Sequence, residues 1–176
     1  RVARKFFNYK DTMRMRTHVA DGRVFVKRSA LRKTSYDMIF LDAFTGDYIP
    51  EHLMTFEFLE EMKEILTEDG VLVANTFSTS DLYDYESMTY EAVYGEFFNF
   101  KMPITANRVV IATKSGALPT PEALKEAAAS LAPALKTYGV NVTTYPKFLT
   151  TQIDWQSRNR RILTDQYSPA NLLQGP

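Results

Sequence analysis

The chain has no cysteine, only two histidines and no excess of either charge. Without cysteine it can form no disulfide, no thiolate nucleophile and no Cys-based metal site. The histidines, His18 and His52, show no metal-ligating spacing, so we expect no metal site. Lys plus Arg and Asp plus Glu both number 21. This balance argues against nucleic-acid binding, which needs a basic excess or a basic stripe.

Long apolar runs are also absent. No run reaches the ~18 residues that a membrane-spanning helix needs, so no membrane segment is expected. No signal peptide is visible, and a cytoplasmic location is the default expectation. The 176 residues are 45% hydrophobic and 24% charged, which suits one packed domain.

Strand-like and helix-like patterns alternate along the chain. Apolar runs between turn signals predict buried strands at residues 37–43 and 70–77. Apolar residues at every third or fourth position predict a helix at 50–66, with Thr55 as its N-cap. The other predicted elements are a helical start within 1–9, a strand at 13–20, a short helix at 22–32, a turn at 67–70, a tyrosine-rich helix at 81–97, paired strands at 98–104 and 108–113, and a helix at 121–138.

This alternation predicts an α/β domain with a mostly parallel sheet that ends in an antiparallel hairpin. Residues 1–140 would form its main body, and residues 141–176 an irregular extension of the same domain. Ligands of such sheets bind outside the carboxyl ends of the strands. Three places directly follow predicted strands, at residues 21–22, 42–47 and 75–80.

The acids at these places have several interpretations. Asp42 can act as a catalytic base, or it can be a cap or an ion-pair partner for Arg23 or a nearby lysine. Asp47 can bind substrate, or it can be an acid favoured by the dipole of the following helix. Asp21 can contact a ligand or simply end a strand in an Asp-Gly turn. Asn75 can be a ligand contact or an ordinary residue at a strand end.

Four runs taken together resemble the bacterial spermidine-synthase-like proteins. These are polyamine aminopropyltransferases with the S-adenosylmethionine-dependent methyltransferase fold. The runs are DGRVFV (21–26), YDMIFLDAF (36–44), IPEHLMTFEFLEEMKEILTEDGVLVAN (49–75) and LTDQYSPANLL (163–173). The resemblance implies a Rossmann-like domain that transfers an aminopropyl group from decarboxylated S-adenosylmethionine to a polyamine such as putrescine.

The resemblance also implies roles for individual residues. Asp42 matches the catalytic acid, which would hold the cationic amine and help to deprotonate it. Asp21 matches the acceptor of the adenine amino group, and Gly22 would let the adenine approach the backbone. Asp42 itself and the adjacent Ala43 would also belong to this cofactor site. The implied substrate contacts are Asp47, Asn75 and Asp165.

Some residues depart from the family pattern. The usual D-x-x-D motif would place a second acid at Thr45, but the next acid is Asp47. The stretch 101–107 lacks the expected channel tyrosine. Tyrosines at 83, 85, 90 and 94 can replace it, although packing of that helix on the sheet is the simpler interpretation. Two alternatives therefore stay open: a methyltransferase with another acceptor, and a non-catalytic nucleoside-binding protein.

The first residues show neither the glycine-rich turn nor the ribose-binding acid of this fold. The resemblance implies that the chain lacks the N-terminal part of its domain, namely two strands, one helix and half of the cofactor site. We expect the fragment alone to be inactive and to leave a sheet edge exposed. The exposed edge and the resemblance together suggest a homodimer.

Overall fold

A four-stranded sheet with the order β1-β2-β4-β3 organises the computed structural model, which describes residues 2–44, 49–103 and 105–168. The strands are β1 (Tyr36–Leu41), β2 (Leu66–Phe77), β3 (Phe98–Lys101) and β4 (Asn107–Thr113). β1 and β2 are parallel, whereas β4 is antiparallel to both β2 and β3. The α/β class and the antiparallel hairpin are confirmed. Within the described residues the parallel part of the sheet is the single pair β1–β2.

Helices fall where the periodicity predicts them, with shifted ends. They are α1 (Val2–Phe6), α2 (Gly22–Leu31), α3 (Phe56–Glu64), α4 (Tyr83–Tyr94) and α5 (Pro121–Lys136), with 3-10 helices at Glu51–Leu53, Val142–Thr144 and Pro146–Phe148. Thr55 caps α3 by accepting a hydrogen bond from the Phe58 amide, as predicted. The predicted helix at 50–66 is divided into a 3-10 turn and α3. None of the helices described is long and apolar enough to cross a membrane.

The predicted strand at residues 13–20 is wrong. This stretch contains no strand, and Met13 and Val19 are 91% and 97% exposed. Its bonds are local instead, since Asp11 accepts hydrogen bonds from the Thr17 amide and the Tyr9 hydroxyl. Alternation of apolar and polar residues produces a strand only where a neighbouring strand and a core receive it.

The predicted turn at residues 67–70 lies inside β2 as an irregularity. Tyr36 pairs with Leu66 and Met38 with Val71, so β2 carries extra residues opposite β1. Gly70 permits this bulge, because a Cβ there would lie 2.8 Å from the Thr67 carbonyl oxygen. The turn-like composition therefore marks a local break in the register of a continuous strand.

The core lies between the sheet, α3 and α4. Leu59 of α3 is completely buried, and Tyr85, Tyr90 and Tyr94 of α4 are at most 8% exposed. The Tyr94 hydroxyl donates a 3.1 Å hydrogen bond to the Leu59 carbonyl oxygen, which fastens the two helices together. Burial raises the pKa of Tyr90 and Tyr94, so both stay neutral. These contacts support the packing interpretation of the tyrosines.

β1 leaves apolar surface uncovered. Met38 and Phe40 are 52% and 70% exposed, whereas Ile39 and Leu41 on the other face pack against the core. Within the described residues, β1 has a strand partner only on the β2 side. The exposed sheet edge expected from the sequence is therefore found at β1.

A buried polar cluster lies between α4 and the sheet. Arg108 of β4 is completely buried; its Nε donates a 3.0 Å hydrogen bond to Asn99, and its guanidinium lies over the Tyr83 ring. Its two Nη atoms and Glu86 Oε2 have no hydrogen-bond partner among the described residues. Burial raises the pKa of Glu86 to about 7, although the positive charge of Arg108 opposes this rise. The buried Glu86 carboxyl group therefore keeps its proton at pH values at which an exposed glutamate has lost it.

The C-terminal segment is held against the helices through its backbone. Leu163 is completely buried, and its carbonyl oxygen accepts a 2.8 Å hydrogen bond from the Phe56 amide. The Leu163 amide donates to the Thr89 hydroxyl at 2.9 Å. These bonds join the segment to both α3 and α4.

Asp165 adds an ion pair to this attachment. Arg23 of α2 donates to both Asp165 oxygens at 2.6 and 2.8 Å, and also to the Glu61 carboxylate. The Thr55 hydroxyl donates to Asp165 at 2.7 Å. The bond from Arg23 is the main reason that the pKa of Asp165 lies below its usual value. α2, α3 and the C-terminal segment therefore share one charged junction.

We predict that Glu86→Gln alters the pH dependence of stability. Because the pKa of Glu86 is raised from 4.5 to about 7, the folded state keeps a proton that the unfolded state releases. The wild type should therefore lose stability as the pH rises through this window, by up to about 3 kcal/mol. Glu86→Gln should abolish this loss in denaturant titrations between about pH 5 and about pH 8.

The exposed Glu96 offers a matched control. Glu96→Gln should leave the pH slope of the wild type unchanged. Equal slopes for the wild type and Glu86→Gln would contradict the assignment of this pH dependence to Glu86.

Asp165→Asn should loosen the C-terminal segment. The Asp165 side chain is 41% exposed, so solvent weakens its pairing with Arg23, and we expect a stability loss of about 1 kcal/mol at neutral pH. The lowered pKa means that the contribution is present above 3.8 and is lost as the pH falls below that value. Limited trypsin digestion should cleave after Arg160 and Arg161 faster than in the wild type.

Asp69→Asn changes an exposed carboxylate elsewhere and serves as the control. Cleavage of Asp165→Asn at the wild-type rate would show that the ion pair does not hold the segment.

Candidate functional site

Asp42 lies where the sequence predicts it, directly after β1, with its side chain exposed. The parallel register pairs Leu41 with Ala74, so the next residues of the two strands, Asp42 and Asn75, meet. The Asn75 amide donates a 3.0 Å hydrogen bond to Asp42 Oδ1. The structure thus brings together two of the predicted site residues.

A second amide extends this contact. Asn107, the first residue of β4, donates a 3.1 Å hydrogen bond to Asn75 Oδ1. That bond fixes the Asn75 amide so that its NH₂ group faces Asp42. An ionised carboxylate has about four acceptor positions. The contact with Asn75 uses one of them, so Asp42 can still bind a cationic amine or accept a proton.

Asp21 immediately precedes α2 and is its N-cap, rather than the end of a strand. Its Oδ1 accepts a 3.0 Å hydrogen bond from the Val24 amide, and its Oδ2 lies 2.8 Å from His52 Nε2. The hydrogen bond from the Val24 amide lowers the pKa of Asp21 most, and the hydrogen bond with His52 lowers it further. Asp21 is therefore an ionised acceptor with a side chain that is 45% exposed.

Gly22 and Ala43 flank these acids. A Cβ at Gly22 would meet only the Leu53 side chain, at an ordinary 3.7 Å, so packing within the described chain does not require glycine there. The close approach of a ligand, which the resemblance implies, is another reason for a glycine at this position. Ala43 is partly buried against the core. The cofactor roles of both residues stay predictions.

Two further substrate contacts are predicted from the sequence, at Asp47 and Asp165. Asp47 lies outside the described residues. Asp165 accepts hydrogen bonds from Arg23 at both oxygens, and its substrate-binding role stays a prediction. Arg23, considered above as a partner of Asp42, pairs instead with Glu61 and Asp165.

Sequence reasoning did not identify His52 or Asn107 as site residues. His52 contacts Asp21 across 31 residues of sequence, and Asn107 contacts Asn75 across 32. Both contacts follow from the sheet register and loop path, which no local pattern encodes. Within the described ranges, no three or more His, Asp or Glu side chains group in a way that could hold a metal ion.

Comparison with known proteins places this geometry in context. The sequence profile described as "Spermine/spermidine synthase domain" matches residues 1–116. Over 172 residues the chain is 49% identical to a polyamine aminopropyltransferase of Vibrio vulnificus, covering 98% of this chain and 57% of that protein. It is 27% identical to a probable polyamine aminopropyl transferase of Bifidobacterium longum, covering 87% of this chain and 36% of that protein. The chain thus spans little more than half of the first relative and about a third of the second.

Two solved structures share the fold. Human methyltransferase-like protein 13, in complex with SAH, superimposes with a TM-score of 0.62 at 21% identity, covering 90% of this chain and 71% of that one. A probable spermidine synthase from Corynebacterium glutamicum superimposes with a TM-score of 0.58 at 20% identity, covering 89% and 60%. These matches confirm the methyltransferase-like α/β fold. The profile match across residues 1–116 shows that the chain belongs to the spermine/spermidine synthase domain family.

Proposed function

We propose that the protein containing this chain transfers an aminopropyl group from decarboxylated S-adenosylmethionine to a polyamine such as putrescine. The observation that carries the proposal is the exposed Asp42 carboxylate, oriented by Asn75 at the carboxyl end of β1. The 49% identity to a polyamine aminopropyltransferase supports the same reaction.

Asp42 would act on the amine. A polyamine nitrogen is protonated at neutral pH and cannot attack carbon until it loses a proton. Asp42 would accept a hydrogen bond from this nitrogen, help to remove the proton and direct the freed lone pair at the propyl carbon beside the sulfonium. The new C–N bond forms as the C–S bond breaks, and methylthioadenosine leaves with the electron pair on sulfur.

Asn75 would keep Asp42 in place during this step. Its NH₂ group donates to one carboxylate oxygen, and Asn107 prevents the amide from rotating. Both donors are neutral amides, so neither adds a positive charge that would repel the cationic amine. The two amides would therefore position the base without taking part in proton transfer.

Asp21 would recognise the nucleoside. An ionised carboxylate only accepts hydrogen bonds, whereas the adenine amino group donates them, so the two match. The half-exposed Asp21 side chain and the small Gly22 beside it leave the approach open. The co-substrate in this proposal is decarboxylated S-adenosylmethionine or S-adenosylmethionine, and the reaction uses no metal ion.

A methyltransferase with a different acceptor is the second candidate. It is favoured by the run DAFTGD, in which Thr45 occupies the place of the second acid of D-x-x-D. Product analysis separates the two reactions. Release of methylthioadenosine with putrescine supports aminopropyl transfer, and release of S-adenosylhomocysteine with another acceptor supports methylation.

The proposal also includes a cytoplasmic homodimer. Within the described residues β1 has a strand partner only on its β2 side, and this unpaired edge supports an association of copies, because exposed strand edges readily pair. Light scattering of the protein at its full natural length measures the oligomeric state.

Asp42→Asn should lower kcat by about 100-fold or more in the protein at its full natural length, because an amide cannot take up the proton. Methylthioadenosine binding should change by less than about twofold, because asparagine keeps the size of the side chain and an acceptor oxygen. Methylthioadenosine release measures kcat, and calorimetric titration measures binding.

Asp37→Asn provides the matched control, because Asp37 is an exposed aspartate near the other end of β1. It should retain wild-type turnover. Unchanged turnover in Asp42→Asn would remove Asp42 from the catalytic role.

A further inference from the structure

His52 contacts the proposed nucleoside side of the site. It lies in the 3-10 helix Glu51–Leu53, ten residues after Asp42, and its Nε2 is 2.8 Å from Asp21 Oδ2. We propose that His52 is a positioning residue, which holds the Asp21 carboxylate in the orientation that receives the adenine amino group. This inference rests on the nucleoside-binding role proposed for Asp21.

The chemistry of the contact defines its direction. Because the ionised Asp21 only accepts hydrogen bonds, Nε2 of His52 must carry the hydrogen and donate it. Asp21 thus receives one bond at each oxygen, from the Val24 amide at Oδ1 and from His52 at Oδ2. Each oxygen keeps a further acceptor position for a ligand.

The second bond matters because the terminal torsion of an aspartate is broad and poorly restrained. With the Val24 cap alone, the carboxylate plane could rotate about the capped oxygen. The bond from His52 removes this freedom before the nucleoside arrives. A group that is oriented in advance loses less entropy on binding, so the benefit should appear in nucleoside affinity.

The backbone around His52 is itself held in place. The neighbouring Leu53 is 5% exposed and packs beside Gly22. Thr55, two residues further on, donates to Asp165, which also accepts from Arg23 of α2. Residues 52–55 therefore lie along the beginning of α2, held there by the contacts of Leu53 and Thr55.

If His52 only stabilised the fold, its removal should lower the melting temperature. The beginning of α2 is already fixed by the Asp21 cap and by Arg23, and the His52 and Asp21 side chains are 47% and 45% exposed. Exposed pairs of this kind add little to folding stability. Loss of His52 should therefore change nucleoside binding while the melting temperature stays close to that of the wild type.

The test uses the protein at its full natural length. In His52→Ala, the Kd for methylthioadenosine and the KM for decarboxylated S-adenosylmethionine should rise by about fivefold to tenfold, with kcat within about twofold of the wild type. His52→Gln keeps an N–H donor and should restore both constants to within about threefold of the wild type. Should His52→Ala fail to fold, His52→Leu is measured in its place.

A double-mutant cycle tests whether His52 acts through Asp21. In an Asp21→Ala background, His52→Ala should cause no further loss of methylthioadenosine affinity. Full additivity, a fall in kcat at constant KM, or unchanged affinity in His52→Ala would overturn the positioning role. If Asp21→Ala itself binds methylthioadenosine normally, the adenine contact in the proposed function fails, and this inference falls with it.

Discussion

The parallel pairing of β1 with β2 is the constraint on which the site depends. Its register sets Leu41 opposite Ala74, and the residues that follow, Asp42 and Asn75, must then meet at the carboxyl end of the pair. A one-residue slip would turn every side chain of β1 to the other face. The burial of Ile39 and Leu41 against the core opposes such a slip. The apolar pattern of β1 thus fixes the position of its catalytic candidate.

Adjacent residues of β2 and of β4 lie on opposite faces of the sheet, and the two faces have different surroundings. Asn75 and Asn107 form the amide chain that supports Asp42. The next residues along each strand, Thr76 and Arg108, pair in register and are buried beneath α4. Side chains alternate between faces along a strand, so a single residue step separates an open polar site from a buried polar cluster.

The beginning of α2 is a second place where residues distant in sequence come together. Asp21 contacts His52, Arg23 contacts the Asp165 carboxylate, and the Leu53 side chain lies 3.7 Å from where a Cβ on Gly22 would stand. A helix start offers unsatisfied amides and an orientable cap, and here the cap is also the proposed nucleoside contact. The same carboxylate thus stabilises the helix and is presented for recognition.

The sequence alone determined what depends on local physics. Periodicity located α3, α4 and the buried strands, and residue type identified the Thr55 cap, because each of these depends on near neighbours. The resemblance supplied Asp42 and Asp21 as site residues. The alternating stretch at 13–20 failed as a strand, because a strand needs a partner that no local pattern provides.

Only the tertiary structure decided which distant side chains meet. It joined Asp21 to His52, Asp42 to Asn75 and Arg23 to Asp165, across 31, 33 and 142 residues of sequence. The physical reason is that polar partners are selected by sheet register and by the path of the chain. From the sequence alone, a histidine or an arginine could pair with any of many carboxylates. In the folded chain, only one or two carboxylates lie close enough to bind it.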